Sequence, residues 1–390
     1  MTRTRRVLIG LFVLSWIWLF LWSFQDFRFW VRIKVMSVVM GMTHPGIESY
    51  DAAVAVKDYQ PVSGMVPVSE NQLDQPAFDN IEFHGHIFRD PPPQAEFIER
   101  MDRNRTKLFV NLSGWTYTPE AYKELIEKWD SPRIMHFVGF NWEYLREQDP
   151  DWVAKMAADL EGAAKLGARG VKLWKNFGVL ERLPNKAVLA LDDEQLEPVW
   201  DVVAKYDMLV AIHTADPPVF YRPTNKDNER LPELAKFPQR TLFSSGVPSF
   251  DETMAQRDRL FERRRDIRFV ALHLAEFAHD LKRAQEFLDR HEENVWIDIA
   301  QRHDELGRQP RATRAFIIKN RDRILYATDG MPDFKKVRIY WRFLETDDEF
   351  FDYHPPHKPK KGIWRIHGLD LPPDVLKQLY YDNAAKLLGL

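Results

Sequence analysis

Eight short apolar runs, alternating with stretches of helical periodicity, occupy residues 81–329 and dictate the class of fold. They are IEFHGHIF (81–88), KLFVNL (107–112), RIMHFVGF (133–140), RGVKLW (169–174), MLVAIH (208–213), RFVALH (268–273), NVWIDIA (294–300) and RILYATD (323–329). Segments such as PEAYKELIEKW and DWVAKMAADLEGAAKLG lie between them. Strand and helix in alternation make crossover units, and crossovers make parallel sheets. Eight units in residues 81–390 predict an α/β chain folded as a (β/α)8 TIM barrel, a fold of about 250 residues before insertions. A doubly wound sheet with fewer strands is the main rival. The fifth and sixth runs are separated by residues 214–267. The part from Asp216 to Pro248 follows a strand end, where barrels keep their active-site loops, so we expect a lid and specificity loop there.

Ahead of the barrel, Val7 to Phe24 is 18 residues without a charge. As a helix it is about 27 Å long against a hydrocarbon core of about 30 Å. Trp22, Phe24, Phe27 and Trp30 stand where a signal peptidase would need small residues, so the segment reads as an uncleaved transmembrane helix. The domain plan is then a basic flank and anchor over 1–24 and a candidate amphipathic helix in the lipid interface over 25–50. A proline-containing linker over 51–80 and the barrel over 81–390 follow. Arg3, Arg5 and Arg6 before the span are balanced by Arg28, Arg32 and Lys34 after it, so charge barely orients it. The commoner arrangement leaves the large domain outside, and we expect an extracytoplasmic catalytic body, periplasmic in a bacterium.

The 55 Lys and Arg against 58 Asp and Glu give a net charge of −3, without the basic excess of a nucleic-acid-binding domain. There is no cysteine, which removes disulfides, thiolate metal sites and cysteine nucleophiles together. Any metal must be held by His, Asp, Glu or a modified Lys.

Four of the twelve histidines fall where a barrel does chemistry. His84 and His86 are two apart in the first run, so they share a face of that strand. His213 ends the fifth run, His273 the sixth, and Asp329 the eighth. Parallel strands bring their C-terminal ends to one rim, so these groups converge despite their separation in sequence. Neutral imidazoles with a carboxylate suit zinc or a similar divalent ion, and His84, His86, His213 and Asp329 form the expected ligand set. Lys172, on the fourth run, is either a carboxylated ligand bridging two metals or a core lysine whose amine pairs with Asp or Glu. His136, on the third, reads as a satisfied core histidine.

The HGH of the first run, the strand-end His213 and His273, the ATDGMP around Asp329 and the closing YYDNAAKLLGL resemble the amidohydrolase superfamily. The branch they resemble contains amidohydrolase-related hydrolases and decarboxylases, and the resemblance covers residues 81–390. It implies a metal-dependent barrel enzyme, usually with one ion, held by His84, His86, His213 and Asp329. It also implies that His273 orients or deprotonates the metal-bound water. Lys172 is a residue type that binuclear members use as a ligand, which leaves the ion count open.

The leading expectation is hydrolysis of a C–N or C–O bond (amide, cyclic amide or lactone) by a metal-activated water, with Asp329 as ligand and general base. The alternative is non-oxidative decarboxylation of a small aromatic or unsaturated acid. A third reading is a non-catalytic anchored barrel. Arg302, Trp174, Arg230, Trp115 and Asp216 are the candidate substrate-binding residues, Arg302 for an anionic group.

Overall fold

The computed structural model describes residues 64–88, 90–354 and 361–390. The expected anchor and interfacial helix lie outside the described residues. Among the described residues no helix is long and apolar enough to cross a membrane.

All eight runs form strands: β1 (Asn80–Gly85), β2 (Thr106–Asn111), β3 (Ile134–His136), β4 (Gly170–Leu173), β5 (Leu209–Ile212), β6 (Phe269–Ala271), β7 (Val295–Asp298) and β8 (Ile324–Leu325). Each leads to a helix: α1 (Gln94–Arg103), α2 (Pro119–Lys128), α3 (Trp152–Lys165), α4 (Glu197–Lys205), α5 (Phe250–Arg263), α6 (Leu281–Arg290), α7 (Pro310–Lys319) and α8 (Phe334–Glu345). Side-chain caps start four of these helices, from Thr118, Ser249, Asp280 and Asp333, each contributing ~1 kcal/mol. Most strands are shorter than the apolar runs, because the last residues of each run leave the ladder and turn into the rim.

Every strand pairing is parallel, in the orders β1-β2-β3 and β4-β5-β6-β7-β8. Two narrow seams close the ring. One is the bridge Val138↔Val171, flanked by Val138 N to Gly170 O at 3.0 Å and Lys172 N to Val138 O at 2.7 Å. The other joins the first strand to the last through Gly85↔Gly330, with Asp329 N to His84 O at 2.9 Å and His86 N to Gly330 O at 3.1 Å. Ile81, Phe83, Val110, Leu209, Val270 and Leu325 form one buried cluster with Ala384 and Leu387 of the closing helix, Asn383–Leu388.

The stretch expected to be a linker is pinned over its second half. Ser69 Oγ, Asn71 N and Asn71 Nδ2 donate to the buried Asp348 at 3.1, 2.7 and 2.6 Å, and Ala77 N donates to Glu345 of α8. A buried carboxylate needs such donors, and the polar composition that looked like solvated linker supplies them.

The insertion forms a separate unit over Val219–Gly246, apart from the barrel body of Pro61–Pro218 and Val247–Leu390. Within it, Asn228 Nδ2 donates to Val219 O at 2.9 Å, and Leu242 N to Phe220 O at 2.7 Å. Arg230 meets Glu233 at 3.0 Å and lies over the Phe220 ring.

Candidate metal centre

His84 and His86 do share a face, and Asp329 sits against both. Its Oδ1 lies 2.7 Å from His86 Nε2 and 3.6 Å from His84 Nε2. Asp329 reaches that position with φ +59°, a left-handed conformation an aspartate tolerates better than most residues. His213 and His273 continue the cluster, with ring centroids 4.2 Å apart and His273 5.0 Å from His84. The potential ligand atoms form three overlapping triads: His84–His86–Asp329, His84–His273–Asp298 and His213–His273–Glu276. The expected four-residue set is therefore divided. His213 faces Glu276 Oε1 at 3.5 Å and shares no triad with Asp329.

Sequence reasoning missed Glu276 and Asp298. Asp298 ends β7, and the apolar run NVWIDIA carried that signal: a carboxylate buried in a strand needs a polar partner. Its Oδ2 takes His84 Nδ1 at 2.7 Å, and its Oδ1 takes the backbone N–H of His273 at 2.5 Å. Glu276 carried no such signal, since its placement depends on an unusual backbone. His273, Leu274, Ala275 and Glu276 have φ of +58°, +54°, +51° and +63°, one turn of left-handed helix with no glycine in it. Such a turn costs roughly 1–2 kcal/mol per residue and persists only where its surroundings fix it.

Burial lowers the pKa of each of the four imidazoles, those of His84, His213 and His273 well below the ordinary value, so all four rings are neutral at pH 7. His273 Nδ1 lies 2.8 Å from Ala300 O, so Nδ1 carries the proton and Nε2 keeps a lone pair. Burial works to raise the Asp329 pKa, but the imidazoles of His86, His84 and His273 outweigh it and hold the carboxyl well below its usual range. Burial pushes Glu276 up to about 8, against the opposing pull of Arg302.

The donor set fits a divalent metal. His86 Nε2 is at hydrogen-bond distance from Asp329 yet lacks a hydrogen bond's alignment, and His213 Nε2 and Glu276 Oε1 are buried without a hydrogen-bond partner. Neutral imidazoles and a carboxylate aimed at shared points, with their polar atoms otherwise unsatisfied, are what a cation site looks like from its protein side.

Lys172 is buried beside this cluster, its Nζ 3.3 Å from His84 Nε2 and 4.9 Å from the Trp174 ring centre, and burial lowers its pKa to about 7. It makes no ion pair among the described residues, which corrects the expectation of an Asp or Glu partner. Its stem passes Gly114, where φ is +58° and a Cβ would come within 2.9 Å of Lys172 Cγ.

Trp174 stacks on His86 at 5.3 Å, with Nε1 tied to Ser113 O at 2.9 Å. Trp115 stacks on Trp174 at 6.4 Å and 14° and is 41 % exposed, so the row opens outward. Phe88, also missed, lies beside His86, with ring centroids 5.6 Å apart. Arg302 does not present a free guanidinium to a ligand: it is buried and donates to Glu276 Oε2 at 2.5 Å, with Glu305 3.7 Å away. Asp216 takes Lys175 at 2.5 Å. Arg230 belongs to the insertion and is held there by Glu233. His136 is buried and meets Asn111 Nδ2 at 3.0 Å.

A parallel eight-stranded barrel with an imidazole–carboxylate cluster at its strand ends defines a metal-binding TIM-barrel protein of enzymatic type. The sequence pattern of the amidohydrolase family matches residues 145–390, and the chain belongs to that family. Among curated proteins none matches it by sequence. Solved structures similar to it include 2,6-dihydroxybenzoate decarboxylase complexed with 2,6-dihydroxybenzoate (17 % identity, 77 % of this chain and 89 % of that one, TM-score 0.49). Others are a dihydroxybenzoic acid decarboxylase from Polaromonas sp. JS666 with bound manganese and 2-nitroresorcinol (16 %, 77 % and 87 %, 0.46) and 5-carboxyvanillate decarboxylase from Novosphingobium aromaticivorans with manganese (15 %, 76 % and 80 %, 0.45).

Proposed function

We propose that the protein is a metal-dependent, non-oxidative decarboxylase of a planar aromatic or unsaturated acid. The stack His86–Trp174–Trp115, running from the ligand cluster outward with Phe88 beside His86, carries this reading rather than the distant structural likenesses. A flat ring slides against such a face with one edge at the cluster. His84, His86 and Asp329, with His213 and His273 beside them, would hold one divalent ion, zinc or manganese. Such an ion would supply Lewis-acid polarisation of a substrate oxygen.

The chain's own groups do the rest. Trp174 and Trp115 hold the ring plane, and Lys172 offers its amine to the substrate's anionic edge. The C–C bond to the carboxyl breaks, its electron pair stays on the ring or vinyl carbon, and carbon dioxide leaves. That carbon takes a proton. Glu276 supports this step, because burial pushes its carboxyl up to about 8, towards the protonated form, and Arg302 binds only one of its oxygens. Solvent then restores it.

Hydrolysis of an amide or lactone is the second reading, and one observation favours it. Asp329 is held ionised and His273 Nε2 holds a lone pair, so two proton acceptors face the cluster, as water activation requires. The test is to load the full chain in detergent with zinc or manganese and screen hydroxybenzoates and unsaturated acids beside lactones and amides. Carbon dioxide release, weakened in Trp174→Ala through a higher KM, supports the first reading. Ring opening without carbon dioxide, lost in Asp329→Asn, replaces it with the second; turnover of neither panel overturns both.

Residues 7–24 support a further proposal, a membrane-anchored enzyme, and the commoner arrangement of an N-terminal anchor puts its barrel outside the cytoplasm. Protein that leaves the membrane on an alkaline carbonate wash would overturn it.

A further inference from the structure

The left-handed turn 273–276 puts His273 and Glu276 into the cluster, and four consecutive L-residues do not stay in that form unaided. Its ties on one side come from the β7 end. Asp298 takes His273 N, Ala300 O takes His273 Nδ1, and Arg302 reaches both His273 O and Glu276.

On the side of α5 the tie is different. Arg257 is fully buried, and its terminal N–H donates to Ala275 O at 2.8 Å. The guanidinium lies 4.3 Å from the ring centre of Phe287, 5.2 Å from Phe277 and 5.8 Å from Phe261, and its other N–H groups meet Asp258 at 3.0 and 3.2 Å. Asp258 also takes Arg290 of α6 at 3.0 Å, so α5, α6 and the turn are tied at one point. Arg257 makes no hydrogen bond or ion pair with a side chain of the cluster.

We propose that Arg257 is a positioning residue, holding the turn left-handed from behind so that His273 and Glu276 point into the site. A guanidinium suits the task because its edge serves a carbonyl and a carboxylate while its faces pack on rings, which an ammonium cannot do in one plane. Without the bond to Ala275 O, that buried carbonyl has no tie on the α5 side, and residues 274–276 are freed to relax towards right-handed backbone. The proposal deepens the functional reading, since it names what orients two groups used there. Its test is independent of which reaction occurs.

The experiment compares wild type, Arg257→Met and Arg257→Lys as full chains in detergent, by amide hydrogen exchange resolved to peptides. Met keeps the length and apolar stem that the phenylalanine cage accepts. We expect exchange in a peptide spanning 272–277 to rise about tenfold or more in the Met variant, with peptides from β5 and β7 unchanged and Lys recovering part of the loss. Zinc affinity, read by chelator competition, falls with it. Unchanged exchange in 272–277 overturns the proposal, as does a rise shared equally by every strand, which would make Arg257 a general core residue. Should the Met variant fail to fold, the ratio of turn to strand exchange in the Lys variant decides by the same criterion.

Discussion

Nδ1 of His84 lies 2.7 Å from Oδ2 of Asp298, and that contact turns the opposite nitrogen of the ring towards Asp329. A carboxylate behind a ligating imidazole fixes its tautomer and its aim, and removing one typically weakens metal binding by about 10–100-fold. Asp298→Ala is therefore expected to lose about that much zinc affinity in a chelator competition while circular dichroism keeps the barrel's signature.

Metal content follows from the triads. We expect about one divalent ion per chain by elemental mass spectrometry, lost in a protein carrying both His84→Ala and His86→Ala. About two ions, with Lys172 heavier by the mass of carbon dioxide in intact-protein mass spectra taken at neutral pH, would convert Lys172 into a bridging ligand.

Trp174 is fixed by Ser113 and sits between His86 and Trp115, so its removal opens the middle of the aromatic row. Stacking and apolar contact of this kind are worth ~1–2 kcal/mol. Trp174→Ala should raise KM for a planar acid by about tenfold with metal content unchanged; an unaltered KM would place the substrate elsewhere.

Burial lowers the His136 pKa to about 4. Between pH 6.5, where an unfolded histidine titrates, and pH 4, the unfolded chain binds the extra proton. Stability from this group is therefore present above about pH 6.5 and is lost as the pH falls through 4. Asn111 cannot flip to relieve the charge, because its Oδ1 already accepts from Ile87 N and Ser113. The loss approaches ~3 kcal/mol at its upper limit. Thermal melts of the metal-free protein should fall from pH 7 to pH 4, and less steeply in His136→Asn.

The barrel was legible because eight apolar runs each had to cross a packed interior, and each became a strand. His84, His86 and Asp329 were legible for a related reason: polar residues at the ends of apolar runs have few places to go. Glu276 was not, since nothing in LHLAEF announces a left-handed turn held by Asp298, Arg302 and Arg257. The ion pair of Arg302 with Glu276 was not legible either, because Glu276 was itself hidden. Pairing between distant side chains has no local signature, and the donors that pin residues 69–77 to Asp348 and Glu345 escaped notice on the same account.

The seam between β8 and β1 is a single bridge with a few backbone bonds, and His84, His86 and Asp329 straddle it. An ion gripped by those three would act as a clasp between the first strand and the last. Loading should then tighten the whole ring, raising its melting temperature as a ring-closing crosslink does, so that occupancy of the centre and integrity of the fold become one quantity.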